Sequence, residues 1–297
     1  MATLYTQQAT NIRKTWLLVT LSFIVLIGLG WVFSYTYDNP IILYGAVGLS
    51  VIMNIVSYWY SDKIVLRTTG ARPATREEFF DLYTLTENLS ITAGLPMPKL
   101  YVIEDSALNA FATGRNKEHA AVAVTTGLLA RLDRAELEGV IAHELAHVGN
   151  RDILLQTVVV ILVGGVALLS DFFLRISLFG GGRDNDNKAG LIMVILGVVA
   201  AILAPIAATL IQLAISRKRE FLADATGALV TRYPEGLASA LEKISSSPEP
   251  VKRVSDATAH LFIASPFGGK SFKGIHKLFM THPPVEERIK ALRELSV

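Results

Sequence analysis

The strongest constraint on how this chain can fold is a set of four long apolar blocks without a single charge. They cover residues 16–33, 41–60, 153–170 and 189–216. An apolar stretch of about 18 residues or more is long enough to cross a bilayer as a helix, the form that satisfies its own backbone groups. Just over half of the 297 residues are hydrophobic and 18% are charged, below the usual quarter. Because that excess is gathered in blocks, it specifies a membrane protein rather than a large soluble core. The first block follows Arg13 and Lys14 in the manner of a signal peptide. Residues 34–40 are bulky and aromatic and offer no small-x-small cleavage site, so an uncleaved anchor is expected. A tight Asp38-Asn39-Pro40 turn joins the first two blocks into a hairpin. Trp31, Tyr35, Tyr37, Tyr58, Trp59 and Tyr60 then sit at interfacial levels, and Pro205 should kink the fourth block.

Charge sets the expected orientation. Arg13, Lys14, Lys63, Arg67 and Arg72, then Arg217, Lys218 and Arg219, mark one side, while the first external loop carries only Asp38. The 171–189 loop is mixed, with Arg175, Arg183 and Lys188 against three aspartates. Four spans with both termini cytoplasmic fit best. A formal net charge of +2, with no basic stripe bearing interleaved aromatics, argues against nucleic acid as a partner. The chain has no cysteine, so disulfides and thiolate ligands are excluded and any metal must be held by His, Asp or Glu.

Between the apolar blocks the chain reads as a water-soluble α/β unit. Residues 75–93 look helical, with Thr75 and Glu78 spaced as a capping box. Residues 100–103 and 107–112 are strand candidates, 113–117 a turn, and 120–125 a returning strand. Residues 132–148 form a helix, with Asp133 as N-cap and Glu136 three residues on. Residues 217–297 are polar and helical in pattern, broken by a Ser/Pro linker at 245–250 and a loop at 265–269. The divisions expected are 1–60, an N-terminal transmembrane hairpin; 61–152, a first catalytic segment; 153–216, a second hairpin; and 217–297, a second catalytic segment.

The chemistry is concentrated at 143–147, H-E-L-A-H. Two histidines four apart project from one helix face and can bind one metal ion. Glu144 lies about a quarter-turn away, within reach of a water on that ion. A hydrolytic site keeps three protein ligands, so one more is needed. Asp152, Glu220, Asp224, His260, His276 and His282 are the candidates that follow, Asp152 being badly spaced five residues after His147. Glu220 and Asp224 are four apart on one face; one can ligate while the other orients a ligand histidine through its distal N–H.

H-E-L-A-H at 143–147, N-A-F-A at 109–112, S-R-K-R-E-F-L-A-D at 216–224 and T-H-P-P at 281–284 together resemble the HtpX family of membrane zinc metalloproteases, gluzincins related to the CAAX prenyl endopeptidases. The resemblance runs over nearly the whole chain and departs from the family at no zinc-motif position. It implies an α+β membrane protein: four transmembrane helices and a mostly helical, zincin-like cytoplasmic domain with a small β-sheet. It implies His143, His147 and Glu220 as ligands of one zinc ion, Glu144 as general base, and Asp224 as support for a ligand. By the same resemblance His282 stabilises the tetrahedral intermediate, and Asn109, Ala110, Phe111 and Ala112 form the edge strand along which substrate lies. His119, His260 and His276 match nothing in the family pattern.

The expected activity is zinc-dependent endopeptidase action at the bacterial cytoplasmic membrane, on unfolded or misfolded membrane proteins in quality control and stress response. If helix continued from His147 to Ile153, a rise of about 9 Å would hang the metal just under the bilayer. An intramembrane site-2-type protease is the enzymatic rival, but charges flank the motif helix on both sides, from Arg131 to Glu138 and at Arg151 and Asp152. A membrane chaperone or scaffold with a structural zinc is the non-enzymatic rival; Glu144 argues against it, since a structural site needs no base. Prenyl-protein processing ranks below both.

Overall fold

The computed structural model describes residues 4–36, 38–163, 217–255, 257–267 and 283–295. Helix α1 (Leu4–Thr36) and α2 (Pro40–Trp59) form the N-terminal hairpin. The turn works as its residues predict: Pro40 occupies the first helical turn and the Asn39 side chain accepts the Ile41 N–H at 3.0 Å. Within the hairpin, half-buried Ser22 donates to buried Asn54 at 3.0 Å, giving both polar groups a partner. Trp31, Tyr35, Trp59 and Tyr60 project outward at the ends of the two helices.

Among the described residues, two single helices are long and apolar enough to cross a membrane, Ala9–Gly28 and Pro40–Trp59. The rest of the third apolar block and all of the fourth lie outside the described residues, so the expected four spans stand at two candidates. Helix α1 also begins well before its apolar block. Residues 4–15 extend the same helix by about three turns, and Asn11 and Thr15 are buried against the catalytic unit.

After the short α3 (Ser61–Thr68), a four-stranded mixed sheet is built from β1 (Arg72–Pro73), β2 (Lys99–Ile103), β3 (Ala110–Gly114) and β4 (Ala120–Thr125), in the order β1-β2-β4-β3. β2 and β4 are parallel; β1 and β3 are antiparallel to their neighbours. β4 is buried along its whole length because both faces are covered. Val122 and Val124 meet α4 (Phe80–Ala93), α6 (Arg134–Gly149) and, beyond them, α9 (Pro234–Ser246). Ala121 and Ala123 instead pack with Val65, Leu66, Phe111 and Phe262.

Two strand boundaries differ from expectation. Residues 107–109 are not strand, because Ala107 N–H turns back to the Asp105 carboxylate and Thr125 Oγ1 donates to the Ala107 carbonyl. β3 instead runs on to Gly114, which pairs with Ala120. Gly114 has φ +140°, and a Cβ there would overlap the His119 carbonyl, so only glycine fits. At α4 the regular helix starts at Phe80 rather than at 75. The Thr75 cap is present, its hydroxyl accepting Glu78 N–H at 3.3 Å, while Glu78 itself pairs with Arg72.

α5 (Thr126–Arg131) leads into α6, whose capping box is complete: Asp133 accepts Glu136 N–H at 2.9 Å and Glu136 accepts Asp133 N–H at 2.8 Å. The continuous helix expected from His147 to Ile153 is not formed. α6 ends at Gly149, Arg151 takes a left-handed φ of +58°, and α7 (Asp152–Val163) departs at 83°. Gly149 and Asn150 are weak helix formers, so the break falls where propensity is lowest. The 9 Å rise argument therefore fails. α8 (Arg217–Thr231) crosses α6 closely, with Gly227 against the backbone of Ala142 and His143. α9 is held on α6 by Ser239 and Lys243, which donate to Glu136 at 2.7 and 2.6 Å; α10 (Val285–Arg293) closes the unit.

Gly114→Ala forces a left-handed residue and a backbone clash, and should destabilise the fold by about 2 kcal/mol or more. Thermal unfolding of the detergent-solubilised protein reads this directly; an unchanged Tm would contradict the β3–β4 hairpin.

Candidate metal centre

Helix α6 presents His143 and His147 on one buried face, one turn apart. Their Nε2 atoms lie 3.1 Å from each other, with the rings nearly perpendicular. Glu220 reaches them from the first turn of α8, its two oxygens each 3.7 Å from one Nε2. Ligand atoms of His143, His147 and Glu220 all fall within 4.8 Å of one another. Ligands arranged tetrahedrally about 2.1 Å from an ion sit roughly 3.4 Å apart, and the observed spacings bracket that value. Two imidazoles and a carboxylate are a borderline-metal donor set.

The charge balance points the same way. Glu144, Asp152, Glu220 and Asp224 are all buried, and the guanidiniums buried among them are Arg219 and Arg288. With all six ionised, two negative charges remain among these described residues, a balance that suits a divalent cation. Burial pushes the His143 imidazole down to about 4, leaving it a neutral donor at physiological pH. Burial also disfavours a charged His147, but the negative charge of Glu220 and the bond to Asp152 outweigh it and hold the ring up at about 9.

Each histidine has a carboxylate beside its other nitrogen. His143 Nδ1 lies 2.9 Å from Asp224, and Arg288 clamps that aspartate with two bonds of 2.9 and 2.7 Å while donating to the Ile263 carbonyl. His147 Nδ1 lies 2.9 Å from Asp152. Asp152 also accepts from Asn11 Nδ2 at 2.6 Å and lies 2.9 Å from Arg219 Nε. Fixing ligand rings in this way raises their basicity and sets their tautomer.

Glu144 occupies the next position on α6 and is buried as well. Burial pushes its carboxyl up to about 7, with the Glu220 charge adding to the rise and His147 opposing it. It also accepts the Ala112 N–H. β3 is the edge strand of the sheet, and Ala110 and Ala112 turn their backbone groups to its open side. There the Ala110 carbonyl accepts Ile263 N–H at 3.0 Å. Asn109 donates to the Ala264 carbonyl at 3.2 Å, and Phe111 packs edge-on against Phe262 on the other sheet face.

The residues singled out by sequence thus converge: His143, His147 and Glu220 at one point, with Glu144, Asp224 and Ala112 against them. His282 and His276 lie outside the described residues. His260 is buried, 3.1 Å from the Gln156 carbonyl, and His119 is on the β3–β4 turn; neither reaches the centre. Spacing alone missed Asp152, Asn11, Arg219 and Arg288. Asp152 is too far along a continuous helix to serve His147, and only the break at Arg151 folds it back; the Gly149-Asn150 pair was the available sign. Asn11 belongs to a buried 11, 15, 18 helical seam, continued by half-buried Ser22, that runs from the polar end of α1 into its apolar block. Nothing in the pattern of 284–293 distinguishes Arg288 from a surface arginine.

Comparison with known proteins agrees with this geometry. Residues 77–296 match peptidase family M48. A protease HtpX homolog of Caldanaerobacter subterraneus subsp. tengcongensis is 47% identical over 99% of both chains. One from Streptococcus gordonii is 42% identical, covering 98% of this chain and all of its own. In fold, the chain is similar to the crystal structure of S. mikatae Ste24p, with a TM-score of 0.50 at 19% identity over 94% of this chain and 66% of that one. A buried His-His-Glu cluster beside a membrane hairpin is thus carried by a chain that belongs to peptidase family M48, as an HtpX-type membrane metalloprotease.

Proposed function

We propose that this protein is a zinc endopeptidase of the bacterial cytoplasmic membrane that cuts misfolded or damaged membrane proteins on the cytoplasmic side. The observation that carries this reading is the convergence of His143, His147 and Glu220 with Glu144 beside them. In it, His143, His147 and Glu220 hold one zinc ion. Zinc supplies an electrophile for the scissile carbonyl and lowers the pKa of water. Glu144, held near 7 by burial, takes the proton from the attacking water and delivers it to the leaving amine. Asp224 and Asp152 hold the two histidine rings, and His282 is assigned to the developing oxyanion. Substrate backbone lies along Asn109 to Ala112 as an added strand, which requires an extended chain. The basic residues at the hairpin ends favour a cytoplasmic catalytic unit.

Glu144→Gln should keep its metal and lose peptidase activity by about a hundredfold or more, read by metal analysis beside cleavage of an unfolded substrate. Near-normal cleavage would remove the general-base assignment. Glu220→Ala should release the metal, and full occupancy would mean another third ligand. Asn11→Leu removes a donor from buried Asp152 and should speed metal loss to a chelator about tenfold while the protein stays folded by circular dichroism. An unchanged rate would make Asn11 a packing residue only. Unfolded membrane proteins should be cut well ahead of tightly folded soluble ones; equal rates would contradict the substrate class.

A further inference from the structure

We propose that a pocket between the membrane hairpin and the catalytic unit binds the phosphate headgroup of an anionic lipid. The cavity holds about 270 Å³, space for several water molecules, and is walled by α1, α2, the β3–β4 turn and the α6–α7 break. One wall is apolar and aromatic, with Trp16 from α1 and Tyr58 from α2. Trp16 opens the uncharged run of the first candidate span and Tyr58 lies one residue before α2 ends, so both stand where aromatic rings meet the headgroup layer. The β3–β4 turn and the helix break contribute Arg115, Lys117 and Arg151 to the lining, with Glu118 as its one acid. Basic pockets beside transmembrane helices at this level suit anionic headgroups.

Arg151 is the most telling of these residues. It holds a left-handed φ of +58°, a conformation that glycine or asparagine adopts at lower cost. Among the described residues its guanidinium has no hydrogen-bond or ion-pair partner, whereas Arg115 contacts His119 at 2.8 Å and Lys117 stands 4.0 Å from Glu118. An exposed cation kept at a strained position on a pocket wall, with no protein partner among the described residues, is free to meet an anion there. The mixed aromatic and basic lining selects the source of that anion. A free phosphate makes no use of the aromatic side, and a zwitterionic headgroup brings its own cation against the arginines.

The site also adjoins the catalytic machinery. Arg151 immediately precedes Asp152, which holds His147, so a bound headgroup fixes the backbone break on which that ligand's orientation depends. This consequence rests on the proposed function; the binding itself does not.

The test uses the full-length protein in neutral detergent, titrated with phosphatidylglycerol, phosphatidylcholine or inorganic phosphate, with bound lipid counted by native mass spectrometry. Each lysine or arginine near an anionic surface contributes about fivefold in affinity. Phosphatidylglycerol should therefore be retained at least about tenfold more tightly than phosphatidylcholine, and an Arg115→Gln/Lys117→Gln/Arg151→Gln variant should lose that preference. If the triple variant fails to fold, the Arg115→Gln/Lys117→Gln pair on the exposed turn makes the same test. Equal retention of the two lipids, or an unchanged preference in the folded variant, would overturn the site. Displacement of the lipid by inorganic phosphate would overturn the lipid as its source. A protein that prefers phosphatidylglycerol yet cleaves no peptide supports the site and counts against the proposed function instead.

Discussion

A single carboxylate with no solvent exposure, Asp152, ties the parts of this protein together. It contacts His147 on α6, Arg219 on α8 and Asn11 on α1, and it opens α7. A buried charge is tolerated only when it is paired and hydrogen-bonded, and removing one partner from such a group typically costs about 3–5 kcal/mol. The three helices are therefore not free to drift independently. The membrane hairpin reaches the candidate metal-binding face through Asn11, and the start of α8 reaches it through Arg219 beside the ligand candidate Glu220. Arg288 does the equivalent on the other side, tying α10 to Asp224 and so to His143.

The break at Arg151 is what makes this arrangement geometrically available. Along an unbroken helix, Asp152 would lie five positions past His147 and more than a turn above it. The left-handed residue and the 83° bend return it to hydrogen-bond distance from the ring. The same bend turns α7 away from the axis of α6, so Leu155, Val158 and Val159 pack on Leu18 of α1. One backbone irregularity thus places a carboxylate against His147 and an apolar face against the hairpin.

This explains which features were legible in the residue order. The α6 helix, its capping box, the Asn39-Pro40 turn and β4 are local events, governed by side chains within a few positions of one another. His143, His147 and Glu144 were readable for the same reason, since helical periodicity alone puts them together. Glu220 needed the family pattern, because nothing local links residues 147 and 220. Asp152, Asn11 and Arg288 were hidden because each depends on a tertiary event: a helix break, the docking of a helix extended past its apolar block, and an arginine buried against an aspartate 64 positions away. β3 was displaced in register because its start is decided by side-chain bonds to Asp105 and Thr125, which outcompete strand pairing at 107–109.

The edge strand carries the last consequence. Along the open side of β3, the Ala110 carbonyl is held by Ile263 and the Ala112 N–H by Glu144 itself. A backbone that adds to this edge in the way proposed must take over one or both of these bonds. Taking the Ala112 N–H strips a donor from the Glu144 carboxylate; with burial already pushing its pKa up, that loss makes it a stronger base. Substrate binding and activation of the base would then be the same event at one backbone amide. A folded chain, whose own N–H and C=O groups are already paired, cannot make that exchange.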